Sequence, residues 1–489
     1  MEKVEKGSNA NDGSQSGDAG DQTTTQEIIV GWEGPDDPEN PMNWASSRKT
    51  FTIVMVSAVT FNISLASTIF APGVPILMAE FGSTSSELAS FVVSAYIVPF
   101  ILGPLVFAPL SELYGRNVVM NSSNVAFLIF TVLCGASQNM AMFVVFRVLQ
   151  GLTGCVPLTL GGGTIADLMP AEKRGRALSG WQLGPLLGPV LGPVIGGYIA
   201  QGAGWRWMFW LVAILSGILT LGCLLVRETY APTLLARKVA RLRKETGNPN
   251  YTLPATQGRS PGVLFRRAIF RPLKMLFRSP IVLFMALEVS IVYAYLYLLF
   301  TTFTFVFRDQ YGFGSGAAGL AYLGLGVGFL VGLFGTGSTS DYIAKKRAAG
   351  AAIKPEHRLP PLIFGVILVP LGLFWYGWTA EYKVHWMAPI AGTSLIGLGV
   401  LFVFMPIQAY LIDAFTIYAA SAIATNTVVR SLFGAVLPLA GQRMYATLGL
   451  GWGNSLLAFI ALATVPLTWV LMKNGERIRS SPRFRVDLD

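Results

Sequence analysis

Histidine and cysteine are scarce in this 489-residue chain, and their positions exclude several classes of function. Both histidines, His357 and His385, fall in predicted loops, and all three cysteines fall in apolar segments. The sequence therefore offers no histidine-based metal site, no catalytic triad and no disulfide framework. It also lacks a Gly-x-x-x-x-Gly-Lys-Ser/Thr phosphate loop, which argues against direct use of ATP. We expect neither an enzyme nor a bound cofactor.

Charged residues make up 13% of the chain and hydrophobic residues 53%, with a mean hydropathy of +0.54. This is too little charge for a soluble protein of this length. Apolar runs of roughly 20 residues, long enough to cross a hydrocarbon core of ~30 Å, begin near Phe51, Leu88, Asn117, Met142, Ala177, Trp207, Pro280, Ala317, Pro360, Trp386, Ser421 and Trp452. The sequence predicts an all-α polytopic membrane protein with twelve spans.

The basic residues fix the expected orientation, because short cytoplasmic loops are enriched in Lys and Arg. With a cytoplasmic amino terminus, 30 of the 36 basic residues fall inside, and four fall outside. Both termini are then cytoplasmic. The formal charge of +10 is explained by anionic headgroups of the inner leaflet, without any need for nucleic acid.

The positions of the apolar runs and of the basic residues divide the chain into five segments. Residues 1–50 form a polar, disordered cytoplasmic tail without the features of a signal peptide. Residues 51–226 hold the first six spans and residues 280–473 the other six, and residues 474–489 form a cytoplasmic tail. The linker, residues 227–279, is basic, and its part from Leu234 to Arg243 is predicted to lie as an interfacial helix against anionic lipids.

Short charged motifs recur in the two halves. Ala108-Pro-Leu-Ser-Glu112-Leu-Tyr-Gly115-Arg116 ends span two, and Gly337-Ser-Thr-Ser-Asp341-Tyr-Ile-Ala344-Lys345 follows span eight, 229 residues later. An acid followed by a base at the fourth position in corresponding places indicates a duplicated six-span unit. The alternative is that any short cytoplasmic loop carries such charges.

Glycine and proline repeat in span five with a period of four. The glycines are Gly184, Gly188, Gly192 and Gly196, and the prolines are Pro185, Pro189 and Pro193. In water each proline would cost such a helix roughly 3 kcal/mol or more. In lipid, neighbouring helices can satisfy the freed carbonyls, and the glycines form a groove that another backbone can approach closely. The segment is either a tightly packed helix or a bendable one at a moving interface.

Polar side chains inside the spans are expensive and mark candidate sites. Glu288 lies about eight residues into span seven and is predicted to carry a proton, although a permanently protonated structural role fits equally. Arg147 is either held in a static hydrogen-bond network or involved in proton coupling or substrate contact. Tyr293 and Tyr297, expected to share a helix face with Glu288, suit a cavity for flat organic molecules, or simply pack between helices. The remaining candidates for coupling or the cavity are Asn62, Gln150, Gln408 and Arg430.

Several of these motifs resemble those of the major facilitator superfamily. Arg147-x-x-Gln150-Gly-x-x-Gly154 resembles its fourth-span motif, and residues 108–116 its loop motif, although Ala108 and Leu113 depart from that pattern. Gly188-x-x-x-Gly192-Pro193-x-x-Gly196-Gly197 resembles the antiporter motif of drug:proton exchangers. Residues 31–44 and 421–434 resemble segments of the fungal twelve-span drug:proton antiporters.

The resemblance implies two pseudo-symmetric six-helix bundles with a midplane cavity between them, and it places span five against the other bundle. It also implies cytoplasmic latches that close when the transporter faces outward. Glu112 would face the start of span eleven near Ser421, and Asp341 the start of span five. Arg116 would pair with Asp167, and Lys345 with Asp413. Gly115 belongs to the loop motif of residues 108–116, which also contains Glu112 and Arg116.

The function expected from this resemblance is proton-driven export of small organic, lipophilic compounds by alternating access. The alternative within transport is proton-coupled uptake of a polar nutrient or polyamine. A non-transporting membrane receptor or enzyme is the alternative of another class, and no constellation in the sequence supports it. We expect a monomer in the plasma membrane.

Overall fold

A computed structural model describes residues 28–253, 261–348 and 354–480, except for a few side chains within them. Its first half is helical apart from a two-residue strand, β1 (Ile28–Ile29). The helices are α1 (Ser46–Thr68), α2 (Val74–Glu80), α3 (Ser86–Ser94), α4 (Gly103–Tyr114), α5 (Arg116–Gly135), α6 (Met140–Leu168), α7 (Ala171–Gly202) and α8 (Arg206–Cys223).

The linker and the second half follow the same pattern. Their elements are α9 (Ala231–Thr246), β2 (Tyr251–Thr252), α10 (Pro261–Arg278), α11 (Pro280–Tyr311), α12 (Ser315–Leu320), α13 (Leu323–Ala348), α14 (Leu362–Glu381), α15 (Met387–Phe415), α16 (Ala419–Leu462) and α17 (Val465–Ser480).

Ten helical segments in the described part of the chain are long and apolar enough to cross a membrane. Two features raise the number of crossings to twelve. Span two is divided into α3 and α4 by a 3-10 turn at Val98–Ile101, so neither helix is long enough by itself. Ala419–Arg479 contains two crossings, because Gly449 (φ 73°) breaks α16 and the hydroxyl of Tyr445 then reaches Asn454.

The helix pairs repeat between the two halves. In the first half, α1 packs against α7, α5 against α6 and α8, and α4 against α6. In the second half, α11 packs against α16, α14 against α15 and α16, and α13 against α15. The packing of span one against span five in the first half therefore corresponds to the packing of span seven against span eleven in the second half. This equivalence is what a duplicated six-span unit produces, and it gives two pseudo-symmetric bundles.

Span five is a continuous helix in spite of its three internal prolines. Pro193 has no N–H to donate to the carbonyl of Pro189, four residues earlier. The hydroxyl of Thr68 in α1 donates to that carbonyl instead, at 3.1 Å. A neighbouring helix thus satisfies a backbone group that a proline has freed, as is required inside a membrane.

Span one begins at Ser46, five residues before the predicted start, and the described residues ahead of it, 28–45, contain local hydrogen-bonded structure. Asp37 accepts hydrogen bonds from the backbone of Glu33 and Glu39, and Asn40 caps the short helix Pro41–Asn43. Residues 28–31 and 235–253 belong to a separate small unit. In this unit β1 pairs in parallel with β2, and Arg243 donates to the carbonyl of Tyr251.

Candidate functional site

The two bundles meet where span five contacts span eight. The backbone at Gly197 packs against the backbone of Ser315, and Gly319 packs against the carbonyl of Pro193. A Cβ atom at either glycine would overlap these groups. We name the two ends of the molecule inward and outward after the orientation predicted from the charges. Both contacts lie in the outward parts of spans five and eight.

Span two meets span eleven at the same end. Helix α3, the outward part of span two, packs against α16, and the short turn Ala71–Gly73 after α1 packs against α12. At the inward end, α4 and the start of α16 both pack against the linker helix α10. The outward end is therefore closed by direct helix contacts between the bundles.

The glycines with the period of four do not face the other bundle, so the expectation drawn from the family was wrong for them. A Cβ at Gly188 would lie 2.6 Å from the Cβ of Ser64, and one at Gly192 would lie 2.7 Å from the Oγ1 of Thr68. Gly184 and Gly196 also pack against α1. One face of α7 is thus buried inside its own bundle, while Pro193 and Gly197 on another face meet span eight.

Arg147 in α6 is fully buried and is held by backbone carbonyl groups. Its guanidinium donates to the carbonyls of Ala66, Ser67 and Val92, at 3.1 to 3.4 Å. These carbonyls belong to the last turns of α1 and α3, where helices leave acceptors unsatisfied and carry partial negative charge. Arg147 thus joins two helix ends.

Gln150 completes this network. Its side-chain oxygen accepts from Arg147 at 3.0 Å, and its nitrogen donates to Thr131 in α5 at 2.8 Å. Asn62 lies elsewhere in the same bundle and donates to Ser216 of α8 at 2.8 Å, while its own oxygen has no partner among the described residues. All three polar residues face neighbouring helices of the first bundle in this conformation.

Arg430 in α16 lies among aromatic rings. Its guanidinium carbon is 5.0 Å from the ring centre of Tyr293 and 5.6 Å from that of Phe404. Its Nε is buried without a hydrogen-bond partner among the described residues. The ring of Tyr297 lies 4.9 Å from that of Tyr293. Gln408, also predicted for the cavity, is partly buried in α15.

Glu288 does not share a helix face with these tyrosines, so that prediction was wrong. Nine residues separate Glu288 from Tyr297, and at roughly 100° per residue they lie on opposite sides of a helix. Glu288 is 2% exposed and accepts a hydrogen bond from Thr468 of α17 at 3.0 Å. Its own face carries Tyr295, which donates to the carbonyl of Leu457. Glu288 therefore faces span twelve.

The ion pair predicted between Arg116 and Asp167 is present, with a distance of 2.5 Å from Nε to Oδ2. Beside this pair lies Glu228, a residue of the linker for which no functional role was predicted. Glu228 is buried, and its carboxylate accepts from the backbone N–H groups of Arg116 and Asn117. It thereby caps α5 from a distance of more than 100 residues along the chain.

Glu228 also explains why glycine is needed at position 115, between α4 and α5. The backbone of Gly115 has a φ of 98°, which L residues rarely adopt, and a Cβ there would collide with the Glu228 carboxylate. Glutamate directly after span six was a visible signal, since it is one of two acids in a basic linker. The inward end of the first bundle is thus tied together by the buried carboxylate of Glu228, the half-buried carboxylate of Asp167 and the guanidinium of Arg116.

Asp413 pairs with Arg358 at the start of span nine, with 2.5 Å between Nε and Oδ2. Arg116 likewise stands at the start of span three, so Arg358 is its counterpart. The expected partner was Lys345, whose side chain lies outside the described residues, as does that of Asp341. Glu112 is exposed at the end of α4.

Comparisons with known proteins assign the family. The family model of the Major Facilitator Superfamily matches residues 56–438. The chain is 55% identical over 460 residues to the MFS-type transporter penM of Penicillium rubens, covering 94% of this chain and 91% of that one. It is 48% identical over 464 residues to the efflux pump radE of Floropilus chiversii, covering 94% and 86%. The chain belongs to the Major Facilitator Superfamily.

The fold agrees with this assignment. A crystal structure of a D-xylose-proton symporter superposes with a TM-score of 0.66 at 16% identity, covering 87% of this chain and 98% of that one. As a major facilitator protein, the chain is an integral membrane secondary transporter for small molecules, and not an enzyme. The predicted fold class is confirmed, with twelve helices in two bundles.

Proposed function

We propose that this transporter exports small organic, lipophilic compounds in exchange for protons by alternating access. The observation that carries this proposal is the antiporter motif of span five, whose two faces have separate contacts. Gly188, Gly192 and Gly196 pack against span one, while Pro193 and Gly197 pack against span eight. A helix that is fixed to its own bundle on one face can open and close the contact with the other bundle on another face.

Export is further supported by the relative that is described as an efflux pump. The residues around Arg430 suit lipophilic cargo, because Tyr293, Tyr297 and Phe404 offer aromatic surface and Arg430 offers a cation without a carboxylate partner among the described side chains. Flat organic molecules bind well to such surfaces. An outward end that is closed in this way is what an inward-facing state requires, and such a state would load cargo from the cytoplasm.

We assign the coupled proton to Glu288 in the second bundle, and we assign to Arg147, Gln150 and Asn62 the role of holding the helices of the first bundle together. The carboxylate of Glu288 is buried beside Thr468 on an apolar helix, where it is costly to keep charged without a cation. Protonation of Glu288 would remove that cost, and exposure of span twelve to water would allow release. The transporter would lie in the plasma membrane with both termini in the cytoplasm.

The test is transport by the purified full chain in liposomes. A panel of lipophilic compounds is loaded, and the flux is followed with an imposed pH gradient and again after an ionophore has collapsed it. We expect compound movement opposite to the proton gradient, and loss of accumulation on collapse. Accumulation that persists without the gradient would refute proton antiport, and accumulation in the same direction as protons would indicate the uptake alternative.

A further inference from the structure

The linker helix α10 has three distinct faces. Pro272, Met275 and the following Ser279 form the face that is buried against the protein. The hydroxyl of Thr425 in α16 donates to the carbonyl of Pro272 at 3.0 Å, so this face is anchored at the start of span eleven. Helix α10 also packs against α4.

The second face is apolar and exposed. Phe270 is 63% exposed, Leu273 39% and Phe277 80%. Their spacing of three and four residues places the three side chains in one row along the helix. Such a row of large apolar side chains is unfavourable in water, so a non-aqueous environment must cover it.

The third face is basic and adjoins the apolar row, and Arg266 extends the row itself by one turn before Phe270. Helix α10 contains Arg266, Arg267, Arg271, Lys274 and Arg278, and its sequence contains no acidic residue. Arg266 and Arg278 are exposed. Arg271 lies over the ring of Tyr418 at 5.2 Å. A row of apolar groups flanked by cations matches the boundary between acyl chains and anionic headgroups.

The position of α10 brings it to that boundary. Pro280 begins span seven and favours an extended backbone at Ser279 (φ −106°, ψ 104°), so α10 ends there as a helix separate from α11, directly before the predicted membrane span. Helix α9, the other basic helix of the linker, has no exposed large apolar side chain among its described residues. The combination of apolar row and cations therefore distinguishes α10.

We propose that α10 is a membrane-surface helix that binds anionic phospholipid, with Phe270, Leu273 and Phe277 inserted at the level of the acyl chains. This differs from the sequence-based expectation, which placed the interfacial helix at Leu234 to Arg243. Because α10 packs against both α4 and α16, the bound lipid would hold the inward ends of spans two and eleven. The proposal does not depend on which compound is transported.

The first experiment measures where α10 lies. A spin label at Phe277→Cys, in a full chain with its three native cysteines replaced by alanine, is examined in nanodiscs of phosphatidylcholine with and without phosphatidylserine. We expect higher accessibility to oxygen than to a water-soluble nickel chelate, and deeper insertion with phosphatidylserine. A label at Ala240→Cys in α9 is the aqueous reference. Equal nickel accessibility at positions 277 and 240 in both lipids would overturn the proposal.

The second experiment measures the charge contribution with a matched control. Short-chain phosphatidylserine is titrated onto the detergent-purified full chain, and bound lipid is counted by native mass spectrometry. Arg266→Gln/Arg278→Gln should bind roughly 30-fold more weakly, since each basic residue near an anionic surface contributes about a factor of five. Arg237→Gln/Lys244→Gln, which removes the same charge from α9, should bind like wild type. Equal weakening in both double variants, or equal binding of phosphatidylcholine, would refute a specific site.

Discussion

Gly319 in span eight packs directly against the carbonyl of Pro193 in span five, and this contact joins the two bundles at the outward end. No side chain separates the two backbones there. The contact must break when the transporter opens outward and must form again when it opens inward, so its closeness determines how well the outward end closes.

Gly319→Leu should therefore impair closure of the outward end, because its side chain would occupy the space of the Pro193 backbone. We expect transport in liposomes to fall at least tenfold, and the distance between spin labels at Gly202→Cys and Gly314→Cys to increase. Gly180→Leu makes the same change in span five, at a position where an added Cβ would meet no neighbouring helix or side chain within 4 Å. An unchanged label distance in Gly319→Leu would contradict the assignment of this contact.

Gly192→Leu should act differently, because Gly192 faces span one and not the other bundle. Overpacking this contact should lower the free energy of unfolding by about 1–3 kcal/mol, measured by thermal or denaturant unfolding of the purified protein. The label distance at the outward end should stay as in the wild type. A normal stability together with a changed label distance would show that span five is oriented otherwise.

Glu228→Gln should destabilise the inward end of the first bundle, since the carboxylate accepts from two backbone N–H groups at the start of α5. Bonds of this kind to a charged group contribute about 1.5–3 kcal/mol each, so a clear fall in melting temperature is expected. The control is Glu245→Gln, an exposed glutamate of the same linker, which should change stability by less than about 0.5 kcal/mol. Equal effects of the two substitutions would contradict the capping role.

Arg358 and Asp413 should be energetically coupled. A double-mutant cycle with Arg358→Gln and Asp413→Asn should give about 0.2–1 kcal/mol of coupling, because the pair is partly exposed. The same cycle with Lys345→Gln and Asp413→Asn tests the partner expected from the sequence, and it should give a smaller coupling because Arg358 already bonds to Oδ2 of Asp413. Coupling to Lys345 and none to Arg358 would reverse the assignment.

Glu288→Gln should abolish proton coupling without abolishing binding of the transported compound. The amide cannot release a proton, so accumulation driven by a pH gradient should be lost, while exchange of labelled for unlabelled compound across the membrane continues. Asp309→Asn removes an exposed acid from the other end of α11 and should keep coupled transport. Undiminished gradient-driven accumulation in Glu288→Gln would remove this residue from the mechanism.

Part of the error about Glu288 could have been avoided from the sequence. Nine residues at roughly 100° each bring a helix to its opposite side, so Glu288 and Tyr297 cannot face one cavity together. The partner of Asp413 was a different matter. Both Lys345 and Arg358 are close to it in the predicted topology, and the loop motif pointed to Lys345 alone because it counts positions along the chain and not distances between helix ends. The structure shows Arg358 paired with Asp413, and the side chain of Lys345 lies outside the described residues.

The sequence by itself determined the membrane class, the number of spans, the repeat unit marked by Glu112 and Asp341, and which polar residues lie inside the spans. These follow from local hydrophobicity and charge, which depend on the order of residues alone. Tertiary structure decided which neighbouring helix each face of a span packs against. Gly192 packs against span one while Pro193 meets span eight, and Glu228 reaches α5, because close approach and hydrogen bonding depend on how the whole bundle is assembled.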